Sequence, residues 1–160
     1  MRNYYDIHYC EKKDDAHLLD VHLPDEGDSF PVFIYFHGGG LVHFNQHFSI
    51  TLWPEHLTDR GIAVVRANYS LYPDAKYPDF LEDAANVVLW VKEHFSEYAN
   101  AEKIFVGGSS AGGYLSMMLC FDKTWLSGCG LSLDDISGFV HDAGQPSCHF
   151  NVLAEQGLDK

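Results

Sequence analysis

The sequence is poor in positive charge and has no long apolar run. Ten Lys and Arg residues stand against 23 Asp and Glu, which gives the 160 residues a formal net charge of -13. A surface of this sign repels phosphate, so we expect neither nucleic acid nor an anionic membrane as a partner. The apolar runs also fall short of the roughly 20 residues that a membrane-spanning helix needs. These shortages favour a protein that works on small molecules.

Cysteine is also scarce, and its spacing is irregular. The four cysteines contain no CxxC pair, which argues against a disulfide framework and against a thiolate zinc site; they are Cys10, Cys120, Cys129 and Cys148. The first fifteen residues, MRNYYDIHYCEKKDD, lack the apolar core of a signal peptide. We therefore expect free thiols in a cytoplasmic protein.

The hydrophobic pattern predicts one domain over residues 1–160. Apolar runs typical of strands alternate with helical patterns, and several runs are apolar throughout, as in strands buried on both faces of a parallel sheet. The predicted strands lie in 17–24, 31–40, 62–69, 103–108 and 136–144. This alternation indicates a three-layer α/β/α sandwich with a mostly parallel sheet.

Three segments between the strands carry helical patterns. Residues 79–98 are amphipathic, with Phe80, Ala84 and Val88 on the apolar face and Asp83 among the residues of the polar face. Residues 111–121 predict a short buried helix, and 48–60 give a mixed helical signal. In sheets of this class, ligands bind at the carboxyl ends of the strands.

One strand end carries the motif G-x-S-x-G. Gly108 to Gly112 read GSSAG between a predicted strand and a predicted helix, which is the context of a nucleophile elbow. Ser110 would then be the nucleophile, and the glycines would avoid collisions on the strained turn. A glycine-rich turn without chemistry is the alternative. A phosphate-binding loop is disfavoured, because Gly113-Tyr114 stands where that motif needs Lys-Ser or Lys-Thr.

A second glycine-rich segment follows another predicted strand. His37-Gly38-Gly39-Gly40 comes directly after PVFIYF, and three glycines allow a backbone that turns N–H groups towards a ligand. Acyl transfer needs such donors for the oxyanion of the tetrahedral intermediate. A plain glycine loop is the alternative, and the serine elbow makes it the weaker one. We expect His37 to orient this loop and not to act as a base.

The segments YFHGGG, RANYSLYP and VGGSSAGG together resemble the α/β-hydrolase family, and within it the esterases and lipases with an HGGG loop. The resemblance covers roughly residues 17–150 and includes carboxylesterases like hormone-sensitive lipase, acetyl esterases and kynurenine-formamidase-like enzymes. It implies that Ser110 is the nucleophile and that Gly39, Gly40 and Ala111 donate to the oxyanion, with Gly38 supporting the loop. It also implies a small ester substrate, often with a short acyl group, and no cofactor.

The rest of the catalytic triad is not evident. The family places the acid and then the histidine after the seventh and eighth strands, and we find neither strand after residue 144. We therefore expect a domain truncated after about the sixth strand. Asp142, at the end of that strand, is a candidate acid, and His149 is a candidate base on a loop that the family does not use for it.

Further interpretations remain open. The chain could be an incomplete esterase or a degenerate hydrolase that binds a ligand or protein without catalysis. A bare sixth strand would favour self-association, or pairing with a missing carboxyl-terminal segment. The histidines after the third strand are too irregularly spaced to predict a zinc site; they are His37, His43, His47 and His56. Four aromatic residues could line a pocket or belong to the core: Phe44, Trp53, Tyr69 and Tyr72.

Overall fold

A computed structural model describes residues 1–47, 54–145 and 148–158. Within these ranges, six strands form one sheet: β1 (Arg2–His8), β2 (Leu18–Leu23), β3 (Ser29–Phe36), β4 (Ala63–Ala67), β5 (Asn100–Ser109) and β6 (Gly138–Asp142). Their order across the sheet is β1-β2-β4-β3-β5-β6. The pairs β1/β2 and β2/β4 are antiparallel, and the three pairs from β4 to β6 are parallel. The predicted mostly parallel α/β sheet is confirmed.

All five predicted strands are present, and one strand was missed. The sequence of β1, RNYYDIH, is largely exposed and lacks an apolar run, because it is an edge strand with one neighbour. Its pairing with β2 also shifts register between Tyr4 and Ile7, which breaks the alternation that would reveal it. The buried strands β3 and β4 stand out in the sequence because both of their faces are covered.

In the described residues, five α-helices surround the sheet: α1 (Pro54–Thr58), α2 (Asp79–His94), α3 (Ala111–Phe121), α4 (Lys123–Gly128) and α5 (Phe150–Glu155). The bounds of α3 are those predicted. The helix predicted over 79–98 ends at His94, and a 3-10 turn over Phe95–Glu97 follows it. Of the helix predicted over 48–60, residues 48–53 and hence Trp53 lie outside the described residues.

The prediction that Asp83 lies on the solvent face of α2 is wrong. Asp83 is 3% exposed, and its Oδ1 lies 3.1 Å from Nε2 of His17, which is also buried. Its Oδ2 accepts a hydrogen bond from the Ser70 N–H at 2.9 Å. The hydrogen bonds to His17 and Ser70 satisfy a carboxylate that helical periodicity alone assigns to water.

The connections that leave β3 and β5 run in opposite directions across the sheet. From β3 the chain moves to β4 on one side, and from β5 it moves to β6 on the other side. Because parallel crossovers are right-handed, α1 covers one face of the sheet and α2 and α3 cover the other. The carboxyl ends of the adjacent strands β3 and β5 therefore form the switch point at which open α/β sheets bind ligands. In the described parts of the chain, no helix is long and apolar enough to cross a membrane.

Candidate active site

Ser110 joins β5 to α3 in a backbone conformation that few residues adopt. Its φ of 54° and ψ of -113° lie outside the regions open to most side chains, at a cost of order 1–3 kcal/mol. The Ser110 N–H donates to the Asp142 carbonyl at 2.8 Å, and the Tyr114 N–H donates to the Ser110 carbonyl at 2.9 Å. The side chain is exposed, so this tight turn presents its hydroxyl to solvent.

Two glycines allow α3 to begin directly against the end of β3. A Cβ on Gly112 would collide with the carbonyl oxygen of Phe36, and a Cβ on Gly108 would lie 2.6 Å from the same oxygen. Both approaches are closer than a side chain tolerates. The two glycines of the G-x-S-x-G motif are therefore explained by backbone contact between the elbow and β3.

The segment from His37 to Gly40 passes beside the elbow. A Cβ built on Gly38 would lie 3.3 Å from the Cβ of Ser110, so the two backbones are neighbours. Gly39 and Gly40 have φ values of 114° and 65°, in the left-handed region that favours glycine. A turn closes after them, because the Val42 and His43 N–H groups both donate to the Gly39 carbonyl at 3.1 Å.

The predicted oxyanion donors are unpaired within the described parts of the chain. There, the N–H groups of Gly39, Gly40 and Ala111 donate to no acceptor of the protein. Ala111 opens α3, and the first N–H groups of a helix have no partner inside it. The structure thus places unpaired donors on both segments that meet at the switch point. The positive, amino-terminal end of the α3 dipole also favours negative charge there.

His37 is fixed in the oxyanion loop by its neighbours. Its Nδ1 lies 2.6 Å from the Gly38 carbonyl oxygen, to which it donates. Its ring stacks on Tyr69 at 4.5 Å between centroids, and the Tyr69 hydroxyl donates to the His37 carbonyl at 2.7 Å. Burial lowers the pKa of His37 to about 4, so the ring stays neutral near pH 7. These contacts hold the loop and leave the imidazole without a bond to the Ser110 hydroxyl.

Asp142 lies next to the elbow through its backbone. It is the register partner of Ser109 across β5 and β6, and its carbonyl accepts the Ser110 N–H. Its side chain is exposed, and no described histidine donates to its carboxylate. The structure brings this predicted acid to the catalytic edge without a triad partner.

The later histidines are engaged elsewhere. His141 Nδ1 lies 2.8 Å from the Ser116 hydroxyl on α3. His149 is 1% exposed, and its Nδ1 accepts the Asn151 N–H at 3.3 Å at the start of α5. Burial lowers the pKa of His149 to about 4. Within the described residues, no imidazole forms a hydrogen bond with the Ser110 hydroxyl.

A short carboxyl-terminal helix that the sequence did not reveal packs on the oxyanion loop. The Asn151 amide donates to the Gly40 carbonyl, and Phe150 Cζ lies 3.7 Å from where a Cβ of Gly40 would stand. At the other end of α5, the Glu155 carboxylate accepts from the Tyr72 hydroxyl at 2.5 Å and from the Tyr77 N–H at 3.1 Å. No sequence motif marks this helix, because only six residues form it and its contacts are distant along the chain.

A large polar cavity of about 1120 Å³ opens at the same edge of the sheet. It lies among residues 6–18, 44–47 and 68–79, and both Phe44 and Tyr69 line it. Tyr69 is nevertheless 1% exposed and is largely a core residue, whereas Phe44 is exposed. Of the four aromatic residues that could line a pocket, Phe44 and Tyr69 therefore lie at this cavity.

A strained serine between strand and helix, beside a glycine loop with unpaired N–H groups, is the arrangement found at the strand ends of α/β-hydrolase folds. A family model described as alpha/beta hydrolase fold matches residues 33–127, which contain both segments. The chain belongs to the α/β-hydrolase family.

Similar proteins include enzymes and a receptor. The esterase LipI of Mycobacterium tuberculosis is 35% identical over 97 residues, which cover 60% of this chain and 30% of LipI. The gibberellin receptor GID1C of Arabidopsis thaliana is 32% identical over 101 residues, covering 60% and 29%. The solved esterase of Pyrobaculum calidifontis aligns with a TM-score of 0.62 and 28% identity over 77% of this chain and 39% of that one. The chain thus spans about a third of the length of the curated relatives it matches.

Proposed function

We propose that this chain carries the nucleophile and oxyanion hole of a carboxylic ester hydrolase. The observation that carries the proposal is the geometry of Ser110, which is strained, exposed and next to the unpaired N–H groups of Gly39, Gly40 and Ala111. Strain is retained in proteins where the surrounding structure enforces it, and such sites are often functional. The glycine loop and the elbow come from adjacent strands, so the sheet itself sets their distance.

The proposed reaction proceeds through an acyl-enzyme. Ser110 Oγ attacks the ester carbonyl carbon and gives up its proton to a base, while the carbonyl electron pair moves to oxygen. The N–H groups of Gly39, Gly40 and Ala111 donate to that oxyanion, and one such donor is worth about 3 kcal/mol of barrier. Collapse of the intermediate expels the alkoxide, which takes the proton from the base. Water then hydrolyses the acyl-serine by the same steps.

The proposed substrate is an ester with a short acyl group. Phe150 and Asn151 pack against Gly40, so α5 occupies space beside the oxyanion loop that a long acyl chain would need. The base would come from a histidine of additional sequence or of a second copy of the chain, and Asp142 is the candidate acid. The outer edge of β6 would take a further strand, supplied by additional sequence or by a second copy of the chain.

A second candidate is a binding protein that uses the hydrolase fold without catalysis. The observation that favours it is the Ser110 hydroxyl, to which no described imidazole is bonded. One relative, GID1C, is named a gibberellin receptor, so a member of this family is described by what it binds.

Covalent labelling distinguishes the two candidates. We would treat the folded chain with a fluorophosphonate probe and measure the intact mass, with Ser110→Ala and Ser109→Ala as a matched pair. Labelling that persists in Ser109→Ala and disappears in Ser110→Ala would support the esterase. Folded protein that acquires no label, at concentrations where copies associate, would contradict an esterase completed within this chain or between its copies and would favour the binding protein.

A further inference from the structure

Three metal-ligating side chains meet at the wall of the polar cavity, away from Ser110. They are Asp6 in the bulge of β1, Asp20 in β2 and His47 in the loop after β3, and one donor atom from each lies within 4.8 Å of the others. His47 Nδ1 is 3.1 Å from Asp20 Oδ2, and His47 Nε2 is 3.7 Å from Asp6 Oδ1. Donor atoms around a metal with bonds near 2.1 Å lie about 3.0–3.4 Å apart, so the separation of His47 Nδ1 from Asp20 Oδ2 suits a shared ion. The Asp6 carboxylate lies nearer the other ring nitrogen and must approach the ion more closely.

Asp20 is the buried member of this cluster, and its unpaired carboxylate oxygen points to a ligand. The residue is 0% exposed, yet its Oδ2 has no hydrogen-bond partner among the described residues. His47 Nδ1 is close enough but is not directed along a hydrogen bond to it. A buried carboxylate oxygen without a donor is costly, and a coordinated cation would remove that cost.

The cluster is held in place by bonds that leave Asp20 Oδ2 available. Asp6 has a φ of 57°, and its N–H donates to Asp20 Oδ1 at 3.0 Å, which ties the β1 bulge to β2. The Gln46 N–H donates to the Asn68 side chain, and the Gln46 amide donates to Asp6 Oδ1 at 3.3 Å. These contacts fix the loop that carries His47, and such supporting bonds orient the ligands of metal sites.

We propose that Asp6, Asp20 and His47 bind one divalent transition-metal ion. Two carboxylates and one imidazole form a mixed oxygen and nitrogen donor set, which suits Mn²⁺, Fe²⁺ or Zn²⁺ better than the oxygen-only sites of Ca²⁺. One nitrogen of His47 coordinates, and its exposed ring turns to bring that nitrogen to both carboxylates. The remaining coordination positions face the cavity, which Asp6 and His47 line.

The local charge accommodates a cation. Arg66 is the cross-strand partner of Asp20 and offsets one negative charge, but no ion pair joins the two within the described residues. The second carboxylate, Asp6, leaves the cluster negative. The chain as a whole carries -13, which also attracts cations over longer distances. The bound ion would tether the loop after β3, whose other end is the oxyanion loop, to β1 and β2.

Mn²⁺ is the probe of choice because the four cysteine thiols compete for Zn²⁺ and not for Mn²⁺. We would titrate the chelator-treated full chain with Mn²⁺ and follow the free ion by electron paramagnetic resonance. We expect saturation at one ion per chain and displacement by Zn²⁺, which binds such donors more tightly. Asp6→Asn and His47→Gln should each weaken Mn²⁺ binding at least tenfold.

The matched control is His43→Gln, which removes another exposed histidine of the same loop. Its Mn²⁺ affinity should equal that of the unmodified chain. Asp6 and His47 side chains are 62% and 53% exposed, so their variants should fold, and circular dichroism would check this. Folded wild-type chain without saturable Mn²⁺ binding would overturn the proposal, as would His47→Gln and His43→Gln variants of equal affinity.

Discussion

Three buried histidines should make the fold sensitive to mild acid. His22, His37 and His149 are each at most 3% exposed, and burial lowers the pKa of each to about 4. Nε2 of His22 and of His37 has no partner among the described residues, so a second ring proton would be buried without an acceptor. In His149 the added proton would displace the Asn151 N–H from Nδ1. All three rings therefore oppose protonation in the folded state.

The sign and size of the effect follow from proton linkage. An unfolded histidine has a pKa near 6.5, above the folded value, so the unfolded chain binds more protons between about pH 6.5 and 4. The contribution of the neutral buried rings to the free energy of unfolding is fully present above pH 6.5 and is lost as the pH falls through this window. Between pH 7.5 and 5.0 each ring should cost about 2 kcal/mol, or about 6 kcal/mol for three independent rings. Domains have only about 5–15 kcal/mol of stability in total.

The assay is urea unfolding at pH 7.5 and at pH 5.0, followed by circular dichroism. The measured quantity is the difference in the free energy of unfolding between the two pH values. His22→Gln and His37→Gln should each reduce that difference by about 2 kcal/mol, whatever they do to absolute stability. The exposed His43 supplies the control, because its ring already faces solvent in the folded chain and His43→Gln should leave the difference nearly unchanged. Equal pH differences in all of these proteins would refute the reasoning that burial keeps the rings neutral.

Two further predictions concern buried contacts. Gly112→Ala should destabilise the fold by about 1–3 kcal/mol or more in urea unfolding, because its Cβ meets the Phe36 carbonyl oxygen. Gly128→Ala, whose Cβ meets nothing within 4 Å, should be neutral or slightly stabilising, and similar losses in both variants would contradict the steric explanation. Asp83→Ala should cost about 1–3 kcal/mol in the same assay, because it leaves Nε2 of buried His17 and the Ser70 N–H without their acceptor. The exposed neighbour Glu82→Ala should stay within about 0.5 kcal/mol, and a comparable loss there would show that these hydrogen bonds are not the cause.

The sequence predicts those parts of the fold whose signals are local. The apolar runs of β3 and β5 and the glycines that follow them locate the switch point, since each segment can be interpreted without its neighbours. The buried Asp83 shows the opposite case. Its place in α2 follows helical periodicity, but its environment depends on His17, which lies 66 residues away in the chain. Local pattern carries no information about such a partner.

The same reasoning explains why the sequence indicates neither the proposed metal cluster nor the contact of α5 with the glycine loop. Asp6 and Asp20 are 14 residues apart and meet His47 only because a bulge in β1 turns the Asp6 backbone to a positive φ. Histidine spacing along the loop therefore could not reveal this cluster. The contact of Asn151 with Gly40 spans 111 residues. Both arrangements depend on contacts between residues that are distant in the chain, and such contacts can be identified only once the fold is known.

The proposed elbow and oxyanion donors would contribute to catalysis independently of a base. In serine hydrolases that have lost a triad member, the oxyanion hole and substrate binding still give ~10³–10⁴-fold acceleration over water. Unpaired N–H groups of Gly39, Gly40 and Ala111 could thus support slow ester hydrolysis by water even when the Ser110 hydroxyl is not activated. Weak turnover of an ester would therefore not identify Ser110 as a nucleophile. Formation of a covalent bond to Ser110 would, because that step requires the hydroxyl to lose its proton to a base.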